Sequence, residues 1–204
     1  MRARLLLIAA AAAIACTACG KSSKSSENDI KGMWSVSDDS FDGGYIFGED
    51  GRAGVYLYPK DMYFSDGCLF ISGTLFSEND LVYDGDILRA VVLGNDALIL
   101  DRTGEPDTSS YDGEYLLTGG SMRDSIASGM GAASPENAEI LFNVEDERIR
   151  VTAANTIDYS FDGEKLDLKG RNGFPDSSGE AELSDGVLSV KRADGGVRVL
   201  KKVG

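Results

Sequence analysis

Apolar and polar positions along this 204-residue chain fall into three regimes. Residues 5–15 are unbroken apolar sequence, and Gly20-Lys21-Ser22-Ser23-Lys24-Ser25-Ser26 is a polar stretch without an apolar side chain. From about residue 30 onward, short runs alternate between apolar and polar residues. Lys165-Leu166-Asp167-Leu168-Lys169 alternates cleanly, and Ile140-Leu141-Phe142-Asn143-Val144, Ile149-Arg150-Val151 and Ile157-Asp158-Tyr159-Ser160-Phe161 do nearly the same. A period of two gives a strand one face for a core and one for water. Asp42, Asp50, Asp66, Asp84, Asp112, Asp162, Asp185 and Asp194 are each followed by Gly. Asp-Gly suits tight hairpin turns, which need positive φ. The pattern predicts an all-β, mainly antiparallel fold of short strands, in barrels or sandwiches.

One stretch departs from this period. Met122, Ile126 and Met130 recur at helical spacing, with Ser121 placed to cap the helix and Asp124 near its positive end. The expectation is one short helix whose apolar stripe packs over a sheet or barrel mouth.

Thr103-Gly104-Glu105-Pro106-Asp107-Thr108-Ser109-Ser110 lacks apolar residues and contains Pro. It divides the body into a first β-domain at 30–103, a linker at 104–110 and a second β-domain at 111–204. The two parts look weakly duplicated. Ile30-Lys31-Gly32-Met33-Trp34 matches Tyr111-Asp112-Gly113-Glu114-Tyr115, and Tyr45-Ile46-Phe47 corresponds to Ile140-Leu141-Phe142. Asp66-Gly67-Cys68-Leu69 answers Asp162-Gly163-Glu164-Lys165-Leu166, and Leu98-Ile99-Leu100-Asp101-Arg102 parallels Val199-Leu200-Lys201-Lys202. Each half would hold its own small core. One continuous barrel or sandwich is the alternative.

The leader reads as an export signal: Met1-Arg2-Ala3-Arg4 is basic, and the apolar run after it is too short to span a bilayer. Small residues then precede Cys16 and Cys19, and the polar stretch follows. This resembles a bacterial lipoprotein signal, in which the cysteine after a small residue is acylated and becomes the mature N-terminus. The resemblance implies a signal peptide at 1–18, acylation at Cys19 with Cys16 as the alternative, and a flexible linker over 19–29. A Ser-rich linker of this length reaches roughly 15–20 Å. The expected location is outside the cytoplasm, lipid-anchored to the cell membrane or outer membrane.

Gly32-Met33-Trp34 on the first predicted strand and Leu100-Asp101-Arg102 on the last one before the linker are similar to lipocalin-like domains. The resemblance implies that Trp34 closes one barrel end, that Arg102 packs over it, and that both are structural. An Arg over an indole face gains cation–π attraction while covering apolar surface. The second half departs from the pattern, with Tyr115 for Trp and Lys201 or Lys202 for Arg.

Charge narrows the partners. The chain carries 20 Lys+Arg against 34 Asp+Glu, net −14, and loss of Arg2 and Arg4 with the leader makes it −16. Nucleic acid is thereby excluded as an expected partner, since phosphate binding needs a cationic face. The chain has no histidine, which removes Ser-His-Asp and Cys-His nucleophile activation. Cys68, alone downstream of the leader, reads as a packed small hydrophobe. Gly43-Gly44 and Gly119-Gly120 lack the Lys-Ser/Thr of a phosphate loop. Asn79-Asp80 with Asp84-Gly85-Asp86, and Asp38-Asp39 with Asp42, could offer oxygen ligands to calcium, but they miss the EF-hand spacing and read as solvated turn acids. No cofactor or metal is expected.

For binding, Tyr56, Tyr58 and Tyr63 are the candidates: Tyr56 and Tyr58 alternate with aliphatics, and a ring with a hydroxyl suits sugars, peptides or proteins. The expected function is a non-enzymatic, lipid-anchored binder of a small ligand, glycan or protein partner at the envelope. The alternatives are a structural or assembly accessory of an envelope complex, docking through an exposed patch at Met122, Ile126 and Met130, and a carboxylate-dependent glycoside hydrolase. A hollow, Tyr-lined barrel would favour the first, and filled interiors in both halves the second. A deep cleft with converging acids and a raised pKa would favour the third.

Overall fold

The computed structural model describes residues 26–36, 42–171, 174 and 176–203. The expected signal peptide, Cys16, Cys19, most of the linker and Asp38-Asp39 lie outside them. In chain order the first part contains a helical turn α1 (Glu27–Ile30), then β1 (Gly32–Val36), β2 (Gly43–Phe47), β3 (Arg52–Leu57), β4 (Met62–Ser65), β5 (Cys68–Ile71), β6 (Thr74–Phe76), β7 (Leu81–Tyr83), β8 (Ile87–Val92) and β9 (Asn95–Arg102). There follow β10 (Gly113–Gly119), α2 (Arg123–Gly129), β11 (Glu139–Glu145), β12 (Arg148–Phe161), β13 (Lys165–Gly170), β14 (Ser177–Ser184), β15 (Val187–Lys191) and β16 (Val197–Lys202). All pairings are antiparallel. The protein is all-β, as the alternation and turn signals imply.

Six of the eight Asp-Gly pairs, at Asp50, Asp66, Asp84, Asp162, Asp185 and Asp194, lie in hairpin turns; Asp42 and Asp112 instead open β2 and β10. Asp66-Gly67 and Asp185-Gly186 have positive φ at both residues, the backbone a type I′ turn needs. The predicted helix is α2, whose apolar stripe is covered: Ile126 and Met130 are buried, and Met122 packs against the same core. Ser121 does not cap it. The helix starts two residues later, and the Ser121 and Met122 amides donate to the Asp96 and Ala97 carbonyls instead.

Two packing units share one long ribbon. Strands β12, β13, β14, β15, β16, β1, β2 and β3, in that order, close into an eight-stranded barrel. The second unit uses the first part of β12, with β11, β10, β9, β8 and β7 along one edge and β4, β5 and β6 from the other. β12 serves both: Ile149, Val151 and Ala153 enter the second core, and Ile157, Tyr159 and Phe161 enter the barrel core. A bulge between Ala153 and Ile157, with Asn155 at positive φ, redirects the strand from one core to the other. β3 crosses it closely there, and a Cβ on Gly54 would lie 2.9 Å from the Ala153 carbonyl oxygen.

The units are not the consecutive halves 30–103 and 111–204. The barrel takes β1–β3 from the first half and β12–β16 from the second, so the halves exchange strands. The 104–110 stretch is the loop of the β9–β10 hairpin, not a linker. Polar composition with Pro marks exposed turn backbone, and it is the same for a long hairpin loop as for an inter-domain segment.

The exchange is close to symmetric. β1 meets β16 with Trp34 opposite Lys202, and β10 meets β9 with Tyr115 opposite Arg102. β12 over 148–161 has as its counterpart β3 and β4 over 52–65, of equal span and interrupted at Pro59. Leu57 pairs with Val151 and Val55 with Ala153, two pairs that exchange under this correspondence. An approximate twofold therefore passes through the Tyr56–Thr152 pair. The symmetry breaks at one strand: β14 bridges β13 and β15 unbroken, whereas its counterpart is split into β6 and β7 by a 3-10 turn at Glu78–Asp80.

Among the described residues, both interiors are packed with apolar side chains. The barrel core packs Ile30, Trp34, Phe47, Tyr159, Phe161 and Leu200 among others, and the second core is larger, with Leu98, Leu100, Tyr115, Phe142 and Ile140 fully buried in it. Arg102 does not lie over Trp34. Its guanidinium carbon is 5.1 Å from the Tyr115 ring centroid, and the cation above Trp34 is the Lys202 ammonium at 5.5 Å.

Candidate functional site

With the interiors occupied, the surface is left for a site, and the candidate tyrosines separate there. On β3, Val55 and Leu57 face the second core, so alternation turns Tyr56 to the opposite face. Tyr56 is nonetheless 2% exposed, held edge-on to Tyr58 with centroids 5.9 Å apart. Burial, reinforced by Tyr58 and Asp42, pushes its hydroxyl pKa up to about 12. Tyr56 is therefore a buried residue of the symmetry axis and offers nothing to a ligand.

Tyr58 and Tyr63 do meet at the surface. Pro59 ends β3 and lets the chain turn, so that β4 runs on along the start of β12 with Tyr63 opposite Arg148. Tyr63 is 39% exposed and stacks on Phe70 at 4.7 Å. Arg148 lays its guanidinium 4.5 Å from the Tyr58 ring centroid and pairs with Asp42 at 3.4 Å. Two shallow clefts flank this arginine. One, of about 160 Å³, lies among Asp42, Tyr58, Lys60, Met62, Tyr63 and Ile149. The other, about 150 Å³, is bounded by Tyr58, Asn143, Glu145 and Asp146. Asp42, Tyr58 and Tyr63 come from the first half of the chain, and Arg148 and Asn143 from the second, so strand exchange assembles this surface. Arg148 is the residue that sequence reasoning missed. The signal for it, an arginine after the Glu145-Asp146-Glu147 turn, acquires meaning only through the β3–β12 pairing.

Trp34 and Arg102 sit in structural networks, the first at the barrel end. Trp34 Nε1 donates to the Ile30 carbonyl at 2.6 Å. Arg102 Nη2 donates to the Tyr83 hydroxyl (2.9 Å), the Asp112 carbonyl (2.7 Å) and the Tyr115 hydroxyl (3.2 Å). Burial opposes the Arg102 charge, but the Tyr83 hydroxyl, Tyr115 and Asp107 outweigh it and raise its pKa. Burial, with the Tyr83 hydroxyl next, likewise raises that of Tyr115.

Among the described residues, Asp80, Asp84, Asp107 and Asp167 have lowered pKa values. Asp80 is held down by the Ser77 hydroxyl and amide, and Asp84 by the Ile87 and Asp86 amides. Asp107 is held down by Ser109, and Asp167 chiefly by Lys165. Asp80 and Asp84 thus spend their oxygens on their own turns. Among the described residues, no group of three or more acids and cysteines is placed to hold a metal ion. Cys68 is half-buried at the start of β5, with its thiol toward the Asp66 carbonyl at 3.8 Å. No family model, curated protein or solved structure matches the chain.

Proposed function

We propose that this protein is a lipid-anchored, extracytoplasmic β-protein that binds a protein partner at the cell envelope through the surface around Tyr58, Arg148 and Tyr63, without catalysing a reaction. The packing of both interiors is the observation that carries this reading: it removes the hollow, Tyr-lined barrel that a small-ligand binder would need, favours docking to another envelope protein, and leaves the outer surface for recognition. That surface offers partly exposed aromatic rings beside charged groups, the composition that protein interfaces favour. The clefts there are smaller than the roughly 300 Å³ or more that small-molecule pockets occupy, which favours a macromolecular partner.

The anchor, at Cys19 or alternatively Cys16, rests on the order of basic, apolar, small and polar residues in the leader. The lipocalin-like reading of Gly32-Met33-Trp34 gains support from an eight-stranded barrel with Trp34 buried in it. It loses support from the origin of the other barrel strands, which come from 148–202 rather than from 30–102. Docking through Met122, Ile126 and Met130 loses its surface, since that stripe is packed inside. Hydrolysis by paired carboxylates gains no support from Asp80, Asp84, Asp107 and Asp167, whose pKa values move down, whereas a general acid needs a raised one.

A photoreactive amino acid placed at position 63 of the full, membrane-anchored chain tests the reading. The expected result is a discrete cross-linked adduct that is lost with Tyr58→Ala and absent when the same probe sits at exposed Val197. Equal labelling from positions 63 and 197, or none from 63, would overturn it.

A further inference from the structure

We infer that the partner presents a cationic segment, a Lys- or Arg-bearing stretch of protein chain, and that Arg148 is a built-in stand-in for one of its side chains. The inference rests on the binding surface proposed above and specifies its chemistry. The guanidinium of Arg148 already shows how a cation sits there, over the face of Tyr58 and against the Asp42 carboxylate. Both contacts are open to water, with the Arg148 side chain 66% exposed and that of Asp42 57%. An exposed ion pair and an exposed cation–π contact are each worth little. Arg148 can therefore swing away and leave a tyrosine face beside a carboxylate for an incoming cation.

The surroundings select the same sign. Glu145, at the end of β11 opposite Arg148, and the turn residues Asp146 and Glu147 are all exposed. Asp146 and Glu147, with Asp112, also line a neighbouring cleft of about 300 Å³ beside Tyr111 and Phe64. Against these acids stand Arg148 itself, Lys60 and Arg150, which lies opposite Asn143. The chain as a whole carries net −14, which steers cationic partners toward it. The clefts on either side of Arg148 are small, open and adjacent, an arrangement suited to successive side chains of an extended segment.

Titration calorimetry with a hexa-arginine peptide, at low and at moderate salt, tests this. If Arg148 is a stand-in, Arg148→Ala binds about two- to fivefold more tightly, because a competing cation has gone. Tyr58→Ala binds more weakly than the parent, with unfolding midpoints confirming that it folds. Arg192→Ala, which removes one positive charge from the β15–β16 turn, controls for net charge and leaves binding nearly unchanged. Equal tightening by Arg148→Ala and Arg192→Ala would overturn the inference, as would weakening by Arg148→Ala or no peptide binding at all. If those results coincide with intact cross-linking from position 63, the cationic segment is wrong and the binding surface stands. If cross-linking is absent too, both fall.

Discussion

Trp34 and Tyr115 hold equivalent positions in two different units and never touch. Each follows a glycine two residues back, Gly32 and Gly113, with positive φ. Each donates to the carbonyl four residues earlier, Trp34 to Ile30 and Tyr115 to Tyr111. Each also lies under a cation from the other half of the chain, Lys202 above Trp34 and Arg102 above Tyr115. Even the secondary contacts correspond: Lys202 Nζ donates to the Asp29 carbonyl and Arg102 Nη2 to that of Ser110, each five residues before its aromatic. The two ends are built alike and closed by exchanged strands.

The two closures differ in weight. Arg102→Ala removes a donor from the part-buried Tyr83 hydroxyl, which keeps only the longer bond from the Tyr115 hydroxyl, and from the exposed Asp112 carbonyl, and is expected to cost about 1–2 kcal/mol. Lys202→Ala removes an exposed ammonium and should cost less than about 1 kcal/mol. Urea unfolding midpoints of the two variants check the order.

Gly44 is fixed by the neighbouring strand. A Cβ there would lie 1.8 Å from the Trp34 carbonyl oxygen and 2.9 Å from its carbon, and backbone cannot move aside cheaply. Gly44→Ala should cost about 3 kcal/mol or more, or prevent folding. Gly73→Ala, with open space around it but φ of +82°, should cost about 1 kcal/mol. Thermal unfolding of both variants separates collision from backbone strain.

Tyr56 makes stability depend on alkaline pH. Its folded pKa of about 12 lies above the ordinary value of 10.0, so the folded state holds the proton longer than the unfolded chain. The contribution is fully present below pH 10 and is lost as pH rises toward 12, at up to about 1.4 kcal/mol per pH unit. Tyr56→Phe should lose less stability between pH 10 and 12 than the parent protein, measured by urea unfolding at each pH. Identical slopes would place the hydroxyl in water.

The sequence made local structure legible. Alternation in Lys165-Leu166-Asp167-Leu168-Lys169 became β13, Asp66-Gly67 and Asp185-Gly186 became tight turns, and the Met122–Ile126–Met130 spacing became the buried side of α2. The likeness of Gly32-Met33-Trp34 to Gly113-Glu114-Tyr115 was also visible. What periodicity cannot carry is which edges pair over long separations. Trp34 lies opposite Lys202, 168 positions away, rather than under Arg102, because a register is fixed in three dimensions and leaves no local trace. The binding surface was half legible for the same reason. Tyr58 and Tyr63 stood out as residue types, whereas Arg148 joined them only through the β3–β12 ribbon, and Tyr56 was lost to burial on the axis.

Strand exchange is the claim on which both the fold and the assembled surface depend, and cutting the β9–β10 loop tests it most directly. A protease site inserted between Gly104 and Glu105, both exposed, divides the chain without touching a strand. With exchanged strands, the two fragments stay together through gel filtration after cleavage, unfold in one transition, and separate only in denaturant. Two fragments that part in native buffer as independently folded bodies would contradict it.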